Sequence, residues 1–168
     1  GKGNTELLKQ FSEEYGFFFE VVEAITLDGE KIGSNRIRKL IMEGDTKKAE
    51  RFLGRPHVVE GRVVHGDGRG KGLGFPTVNL ETDYELIPKD GVYISEVEIE
   101  GRMFPSVTNI GYNPTFNANK RSIETHILDY VGDLYGSCIK LYFHEMIRGE
   151  ITFDSIDALK ERIRADID

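Results

Sequence analysis

The sequence predicts a mainly β protein, an antiparallel barrel or sandwich, preceded by a short α/β segment. From residue 57 onward, apolar and polar residues alternate in about six short runs separated by turn residues, which is typical of such a barrel or sandwich. Residues 1–54 instead combine helical patterns with one continuous apolar run, which is typical of the end of an α/β domain. We therefore expect two domains, 1–54 and 55–168.

The first element is predicted to be a short helix capped by Asn4 or Thr5, because small polar side chains favour the position before a helix. The apolar, β-branched run at 17–25 (FFFEVVEAI) predicts a buried strand of the kind found in parallel sheets. Asp28-Gly29 predicts the turn that follows.

Two further helices are predicted by a polar residue at the start and a glycine at the end. Ser34 is expected to cap the first of them, which ends at Gly44. Asp45 is expected to cap the second, which ends at Gly54. One strand and three short helices are too little to bury a core alone.

The six predicted strands account for most of the second domain. They cover residues 58–65, 77–80, 91–99, 102–110, 122–130 and 138–147. Asp154-Ser155 then begins a predicted helix whose apolar residues recur at spacings of three and four. These residues are Ile156, Leu159, Ile163 and Ile167. Such an amphipathic helix is expected to cover an open end of the barrel.

Composition narrows the classes of function. The 168-residue chain has 39% hydrophobic and 30% charged residues, as soluble globular proteins do. Its net charge of −7 argues against a nucleic-acid partner. A single cysteine, Cys138, excludes an internal disulfide and a cysteine metal cage. Without a membrane-length apolar run or a signal-peptide pattern, we expect a cytoplasmic location and no membrane partner. The oligomeric state stays open.

Five glycines alternate with other residues between Gly66 and Gly74, in a loop that also carries Arg69 and Lys71. So bare a backbone suits neither a helix nor an ordinary strand, but its amides can lie close to an anion such as a phosphate. The loop lacks the GxxxxGK[ST] pattern, since Gly72 follows Lys71. A mobile hairpin loop is an equally good interpretation of the glycines alone.

Two oxygen donors follow this loop at a spacing that places them together. Thr77 and Asn79 lie two residues apart in a predicted strand, so their side chains share one face, while Val78 and Leu80 point the other way. Mg²⁺ prefers oxygen ligands and needs few from the protein when a nucleotide supplies the rest. The pattern therefore predicts a magnesium site beside the glycine loop.

The segment SIETHILDY, residues 122–130, carries the other informative polar residues. Alternation places Glu124 and His126 on one face of a strand. A carboxylate near a nucleotide's terminal phosphate could accept the proton of an attacking hydroxyl group. From alternation alone, a carboxylate on a solvated face is the more common explanation of Glu124. We interpret His126 as structural.

Two of these motifs together resemble the signatures of riboflavin kinases. GDGRGKGLGFPTVNLE is similar to the phosphate loop and PTAN motif of that family, with Val78 in place of alanine, and ETHILD is similar to its second signature. The resemblance covers residues 55–168. It implies a six-stranded Greek-key barrel that transfers the γ-phosphoryl group of Mg-ATP to the 5′-hydroxyl of riboflavin, giving FMN and ADP.

The resemblance also implies a role for individual residues. Glu124 would be the catalytic base, and Thr77 and Asn79 would bind Mg²⁺. The implied ATP-binding residues are Gly66, Gly70, Lys71, Gly72, Thr77, Ile127, Asp129 and Tyr135. The segment IRGEITF would hold the flavin through Arg148, Ile151 and Phe153.

Residues 33–39 (GSNRIRK) are similar to the motif that closes the nucleotidyltransferase domain of bacterial bifunctional FAD synthetases, although Gly33 and Asn35 depart from it. Gly54-Arg55-Pro56 stands where that family has its linker. Residues 1–54 are thus expected to be the C-terminal remnant of an FMN adenylyltransferase domain. None of the four histidines forms that domain's HxGH-type motif, so we expect no FAD synthesis by residues 1–168 alone.

Three alternatives to a riboflavin kinase remain. The chain could belong to a bifunctional enzyme that also adenylylates FMN, to a non-catalytic flavin-binding barrel, or to a small β-barrel interaction module. The joint presence of Thr77, Asn79 and Glu124 favours catalysis, because flavin binding needs no metal ligands.

Overall fold

The computed structural model of the chain describes residues 4–66, 75–112, 121–149, 151 and 156–167. Two compact units emerge from the packing, residues 1–32 and residues 33–168. This division follows contacts within the chain and differs from the predicted domain boundary at 54/55, which stays a prediction.

The first unit contains a helix and a small hairpin. Helix α1 (Thr5–Tyr15) begins after Asn4, whose side chain accepts a hydrogen bond of 2.8 Å from the backbone N–H of Leu7, so the predicted cap is confirmed. Strands β1 (Thr26–Leu27) and β2 (Glu30–Lys31) are antiparallel. Between them Asp28 and Gly29 have φ of 53° and 75°, which confirms the predicted turn.

The predicted strand at 17–25 is wrong. Residues 17–25 have no regular secondary structure, and Phe18 is 87% exposed. A buried strand needs neighbouring strands to satisfy its backbone hydrogen-bonding groups. Within the described part of the chain no strand pairs with 17–25. The apolar composition of this run therefore did not lead to burial.

Helix α2 (Ser34–Glu43) opens the second unit. The residue before it, Gly33, occupies the N-cap position with φ of −165° and makes no side-chain cap. The predicted cap at Ser34 is wrong. Ser34 is already the first helical residue, so it does not occupy the N-cap position. The helix ends at Gly44 with φ of 87°, as predicted.

Helix α3 (Thr46–Leu53) follows at once and docks on the barrel. Asp45 caps it as predicted, accepting a hydrogen bond of 3.1 Å from the N–H of Lys48. It ends at Gly54 with φ of 71°, also as predicted. The Thr46 hydroxyl group donates to the carbonyl oxygen of His144 at 2.9 Å, which fixes the start of α3 to the barrel wall.

Six strands form a closed antiparallel barrel in the order β3-β4-β7-β6-β5-β8. Their bounds are β3 His57–Val64, β4 Val78–Glu81, β5 Gly91–Ile99, β6 Arg102–Tyr112, β7 Arg121–Ile127 and β8 Cys138–Arg148. Strands β5, β6 and β7 are neighbours in sequence and in space, and β4 returns beside β7, which is a Greek key. The predicted barrel and its six strands are confirmed, with ends that differ by up to three residues.

The barrel interior is mainly apolar and contains a line of hydroxyl groups. Val59, Tyr93, Leu141 and Phe143 are among the fully buried residues, and Val78 packs against this core as expected. The hydroxyl line joins neighbouring strands through hydrogen bonds of 2.7 to 2.9 Å. It consists of Ser106, Ser95, Thr108 and Thr125. Because each group has a partner, the line can lie in the core, and it helps to fix the register of β5, β6 and β7.

Helix α4 (Ile156–Ile167) follows β8 and contacts β6. Its predicted start at residues 154–155 lies outside the described residues. So do three side chains of its predicted apolar face, those of Ile156, Leu159 and Ile163. Asp166, near its end, is bound to Arg148 at the end of β8, and this pair holds the helix to the barrel.

Candidate active site

One row of residues crosses five strands on the outer face of the barrel. Asn79 of β4 is opposite Glu124 of β7, Glu124 is opposite Asn109 of β6, Asn109 is opposite Val92 of β5, and Val92 is opposite Arg148 of β8. Directly opposed residues of antiparallel strands project from the same face. Neighbouring strands are about 4.8 Å apart, so this outer row is roughly 20 Å long.

Burial along β7 confirms that the outer row faces outward. Ile123, Thr125 and Ile127 are buried in the barrel, whereas Glu124 and His126 are half-exposed. The alternation predicted for this strand is therefore correct. Glu124 stands on the outer wall directly beside Asn79.

The start of the glycine loop rests against Asn79. A β-carbon at Gly66 would lie only 2.0 Å from the Asn79 Nδ2 atom and 2.5 Å from its Cγ atom. No real side chain could occupy this position unless the Asn79 amide moved. The loop thus begins in contact with one of the two predicted metal ligands.

A cavity of about 360 Å³ opens at the barrel end beside Asn79. It brings together five of the predicted site residues, which are Gly66, Thr77, Asn79, Ile127 and Tyr135. The rest of its wall is largely apolar or backbone, with Val63, Val64, Pro76 and Leu134 among the lining residues. A largely apolar pocket with a few polar groups at one edge is typical of a small-molecule site.

The turn that carries Tyr135 is fixed to the edge of β3. The backbone N–H of Tyr135 donates to the Asp133 carboxylate at 2.9 Å. The next backbone N–H, that of Gly136, donates to the Val63 carbonyl oxygen at 2.9 Å. The Tyr135 ring stacks on His65, with ring centroids 3.6 Å apart and planes inclined by 22°. Sequence reasoning missed His65, because nothing in the sequence indicates that residues 65 and 135 meet.

His126 supports the backbone in front of Thr77. Its Nδ1 atom lies 2.8 Å from the Pro76 carbonyl oxygen, a hydrogen bond in which the ring N–H donates. The edge of its ring meets Phe75, at a centroid distance of 5.9 Å. These contacts agree with its interpretation as a structural residue.

Arg148, at the far end of the outer row, binds helix α4. Its Nε and Nη2 atoms lie 3.0 and 2.7 Å from the Asp166 Oδ2 atom. The two side chains are only 12% and 3% exposed. Arg162 also donates to this carboxylate, at 3.1 Å. Of the other residues predicted to bind flavin, Ile151 is exposed and Phe153 lies outside the described residues.

Asp129 is the one further predicted ATP-binding residue that the structure describes. Gly70, Lys71 and Gly72 lie outside the described residues. Asp129 is exposed in the turn after β7, where its φ is 53°.

Asn109 and Val92 of the outer row are also missing from the sequence-based site. Alternation along β6 would place Asn109 on one of two faces. Only the pairing of β6 with both β7 and β5 shows that it stands between Glu124 and Val92. That pairing is a relation between strands, and the alternation within one strand does not report it.

The donor set beside the cavity suits a hard cation. Thr77 offers a hydroxyl oxygen, Asn79 an amide oxygen and Glu124 a carboxylate, and Mg²⁺ prefers such ligands. Among the residues that the structure describes, no group of three or more His, Cys, Asp or Glu side chains could hold a metal ion. A metal site on this face would therefore depend on the Thr–Asn pair together with oxygens from a ligand.

A closed β barrel with oxygen donors and a carboxylate beside a glycine-bordered cavity has the groups that a phosphotransferase needs. The family model described as flavokinase (riboflavin kinase) matches residues 53–168. The chain belongs to the riboflavin kinase family.

Curated relatives carry the name bifunctional riboflavin kinase/FMN adenylyltransferase. The Pseudomonas fluorescens protein is 38% identical over 166 residues, which are 98% of this chain and 53% of that protein. The Haemophilus influenzae protein is 36% identical over 168 residues, or 99% of this chain and 54% of that protein. The chain thus spans about half the length of these relatives.

A crystal structure described as a macrolide-efflux protein from Streptococcus pneumoniae is also similar. It superposes with a TM-score of 0.88 at 35% identity, covering 99% of this chain and 54% of that chain. Efflux is stated of that protein alone. In the part of the present chain that the structure describes, no helix has the length and apolar character needed to cross a membrane.

Proposed function

We propose that the chain transfers the γ-phosphoryl group of Mg-ATP to the 5′-hydroxyl group of riboflavin, giving FMN and ADP. The observation that carries this proposal is the direct pairing of Asn79 with Glu124, beside the cavity at the barrel end. Family membership supports the choice of substrates. Phosphoryl transfer depends mainly on positioning and charge stabilisation, and the site offers groups for both.

ATP would bind from the cavity side of the row. The cavity lining contains Thr77, Ile127 and Tyr135, and its volume of about 360 Å³ is within the range of small-molecule sites. Gly66 begins the glycine loop at the edge of this cavity, so loop amides and Lys71 could reach the phosphates from there.

Thr77 and Asn79 would hold Mg²⁺ through their side-chain oxygens. When bound there, the ion would neutralise charge on the phosphate oxygens. Two observations support the assignment. Both residues line the same cavity, and the Gly66 backbone packs against the Asn79 amide, which restricts its orientation.

Glu124 would act as the general base. As the 5′-oxygen of riboflavin forms its bond to the γ-phosphorus, the hydroxyl proton passes to the Glu124 carboxylate and ADP departs with the bridging oxygen. The pairing of β7 on both sides, with β4 and with β6, supports this role. The two strands therefore hold the backbone of Glu124 directly beside that of Asn79.

The flavin ring would lie at the other end of the row, near Arg148, Ile151 and Phe153. The buried pair between Arg148 and Asp166 supports this placement, because it fixes α4 at that end of the barrel. Arg148 would therefore shape the flavin site chiefly by anchoring this helix.

The longer relatives suggest a second activity for a longer protein. Their name includes FMN adenylyltransferase, and residues 1–54 would be the end of that domain, with residues 55–168 forming the kinase domain. A non-catalytic flavin-binding barrel is less well supported, because it would not need Thr77, Asn79 and Glu124 in one place.

The test is to incubate the chain with riboflavin and Mg-ATP and to separate the products by chromatography. The proposal predicts FMN and ADP in equal amounts, and no FMN when a chelator removes the metal. The same chromatogram would show FAD, and we expect none from residues 1–168. Absence of FMN with folded protein and both substrates would contradict the proposal.

A further inference from the structure

Asn109 occupies a position that no motif of the chain assigns to the site. It is exposed on β6, directly opposite Glu124, and lies on the side of Glu124 away from Asn79. A carboxylate therefore stands between two carboxamides on three neighbouring strands. Asn79 lines the cavity, whereas Asn109 is not among the lining residues and stands two strand spacings, roughly 10 Å, from Asn79.

The geometry of phosphoryl transfer assigns different partners to the Asn79 side and the Asn109 side of Glu124. The attacking and leaving oxygens lie roughly in line on opposite sides of the phosphorus atom. If the donor nucleotide occupies the cavity beside Asn79, the acceptor must reach Glu124 from the opposite direction. That direction leads along the outer row over β6.

We propose that Asn109 binds the hydroxyl chain of the acceptor and thereby selects a polyol next to the attacking oxygen. The inference rests on the proposed function and adds to it a residue that recognises the acceptor. A carboxamide both donates and accepts hydrogen bonds, as a hydroxyl group does, so it suits a chain of alcohols.

The row beyond Asn109 leads toward helix α4. Beyond Asn109 lies Val92, which is apolar and 4% exposed, and beyond Val92 lies Arg148 with its bound helix α4. Two strand spacings, roughly 10 Å, separate Asn109 from Arg148. A polyol bound at Asn109 would therefore extend along the row toward the end of the barrel that is proposed for the flavin ring.

The test compares two flavins in binding to the Asn109→Ala variant. Riboflavin carries the polyol, whereas lumiflavin has the same ring with a methyl group in its place. Loss of a neutral hydrogen bond should weaken riboflavin binding roughly 3- to 10-fold in a fluorescence titration. Lumiflavin and Mg-ADP should bind as they do to the wild type. Val107→Ala, two residues away on β6 and opposite His126, is the matched control and should leave all three affinities unchanged.

Three results would overturn the inference. Riboflavin could bind to the wild type and to Asn109→Ala with equal affinity. The variant could bind lumiflavin as weakly, relative to the wild type, as it binds riboflavin. It could instead lose affinity for Mg-ADP. Failure of the wild type to bind any riboflavin would overturn the proposed function itself, and this inference with it. The outcomes are thus distinguishable.

Discussion

Asn79 of β4 and Glu124 of β7 are directly paired across two neighbouring strands, so their side chains project side by side from the same face of the barrel. Their backbones are separated by about 5 Å, and both strands have further partners in the barrel. The barrel sheet therefore holds the backbones of the proposed metal ligand and the proposed base next to each other.

Removing either oxygen donor should abolish most of the turnover. Thr77→Ala and Asn79→Ala each remove one oxygen contact to a charged group. The loss of such a contact typically lowers the rate roughly 10- to 100-fold. Steady-state FMN formation at saturating Mg-ATP measures the effect, and thermal unfolding should show an intact fold. The control is Thr82→Ala, whose hydroxyl group binds the Glu60 carbonyl oxygen away from the row. Near wild-type turnover in Asn79→Ala would argue against the metal assignment.

Gly66→Ala should displace the Asn79 amide. The new β-carbon would come within 2.0 Å of Asn79 Nδ2, so that side chain must move and with it the proposed metal ligand. We expect the KM for Mg-ATP to rise about tenfold, with riboflavin affinity unchanged. Gly33→Ala, which meets open space, serves as the control. A Gly66→Ala variant with wild-type KM for both substrates would show that the contact has no role in the site.

The barrel could be predicted because its strands obey local rules. Alternation along β5 and β7 reports which side chains enter the core, and turn residues mark where each strand ends. Asn4 and Asp45 likewise predicted where α1 and α3 begin, and Gly44 and Gly54 predicted where α2 and α3 end, whereas the cap predicted at Ser34 was wrong. Here a one-residue shift moved the cap to Gly33, within the usual uncertainty of helix ends.

The site could be predicted only in part. Motif resemblance singled out Thr77, Asn79 and Glu124 among many polar residues of the strands, and their roles stay predictions. Asn109 and His65 were missed because their roles depend on cross-strand pairing and on a ring stack between distant residues. The apolar run at 17–25 shows the opposite failure, since hydrophobicity predicts burial without naming a partner that would provide it.

His57 should make stability depend on pH. It is buried at the start of β3, where its ring N–H donates to the Leu86 carbonyl oxygen at 2.9 Å. Burial lowers the pKa of His57 below its ordinary value of 6.5, with a smaller contribution in the same direction from Arg55. The unfolded chain therefore binds more protons below about pH 6.5, and stability is complete above that pH and is lost as the pH falls.

Urea unfolding at several pH values measures this dependence. The slope from His57 should not exceed about 1.4 kcal/mol per pH unit, and a His57→Gln variant should show a correspondingly flatter profile. Identical profiles for the variant and the wild type would mean that another group determines acid sensitivity.

Asp166→Asn should destabilise the protein strongly through its pair with Arg148. The side chains are almost fully buried, and removing one partner of a buried ion pair typically costs about 3–5 kcal/mol. Arg162→Met removes the more exposed partner of the same carboxylate and should cost only about 0–1 kcal/mol.

The double variant Arg148→Met with Asp166→Leu separates anchoring from direct flavin contact. Because an apolar pair can replace a buried ion pair, it should recover most of the stability that Asp166→Asn loses, and riboflavin affinity should recover with it. Recovered stability without recovered riboflavin affinity would show instead that the Arg148 side chain contacts the ligand.

The role of Glu124 is tested most directly by the rate of the chemical step in Glu124→Gln. A positioned general base contributes roughly 10²- to 10⁴-fold, so rapid-quench measurement of FMN formation in a single turnover should slow by a factor in that range. Riboflavin and Mg-ADP should bind nearly as to the wild type, and Glu124→Asp should be intermediate, since its carboxylate sits one methylene group short. A Glu124→Gln variant with the wild-type rate in that measurement would contradict the account, and Glu124 would then be a solvated carboxylate on the barrel wall.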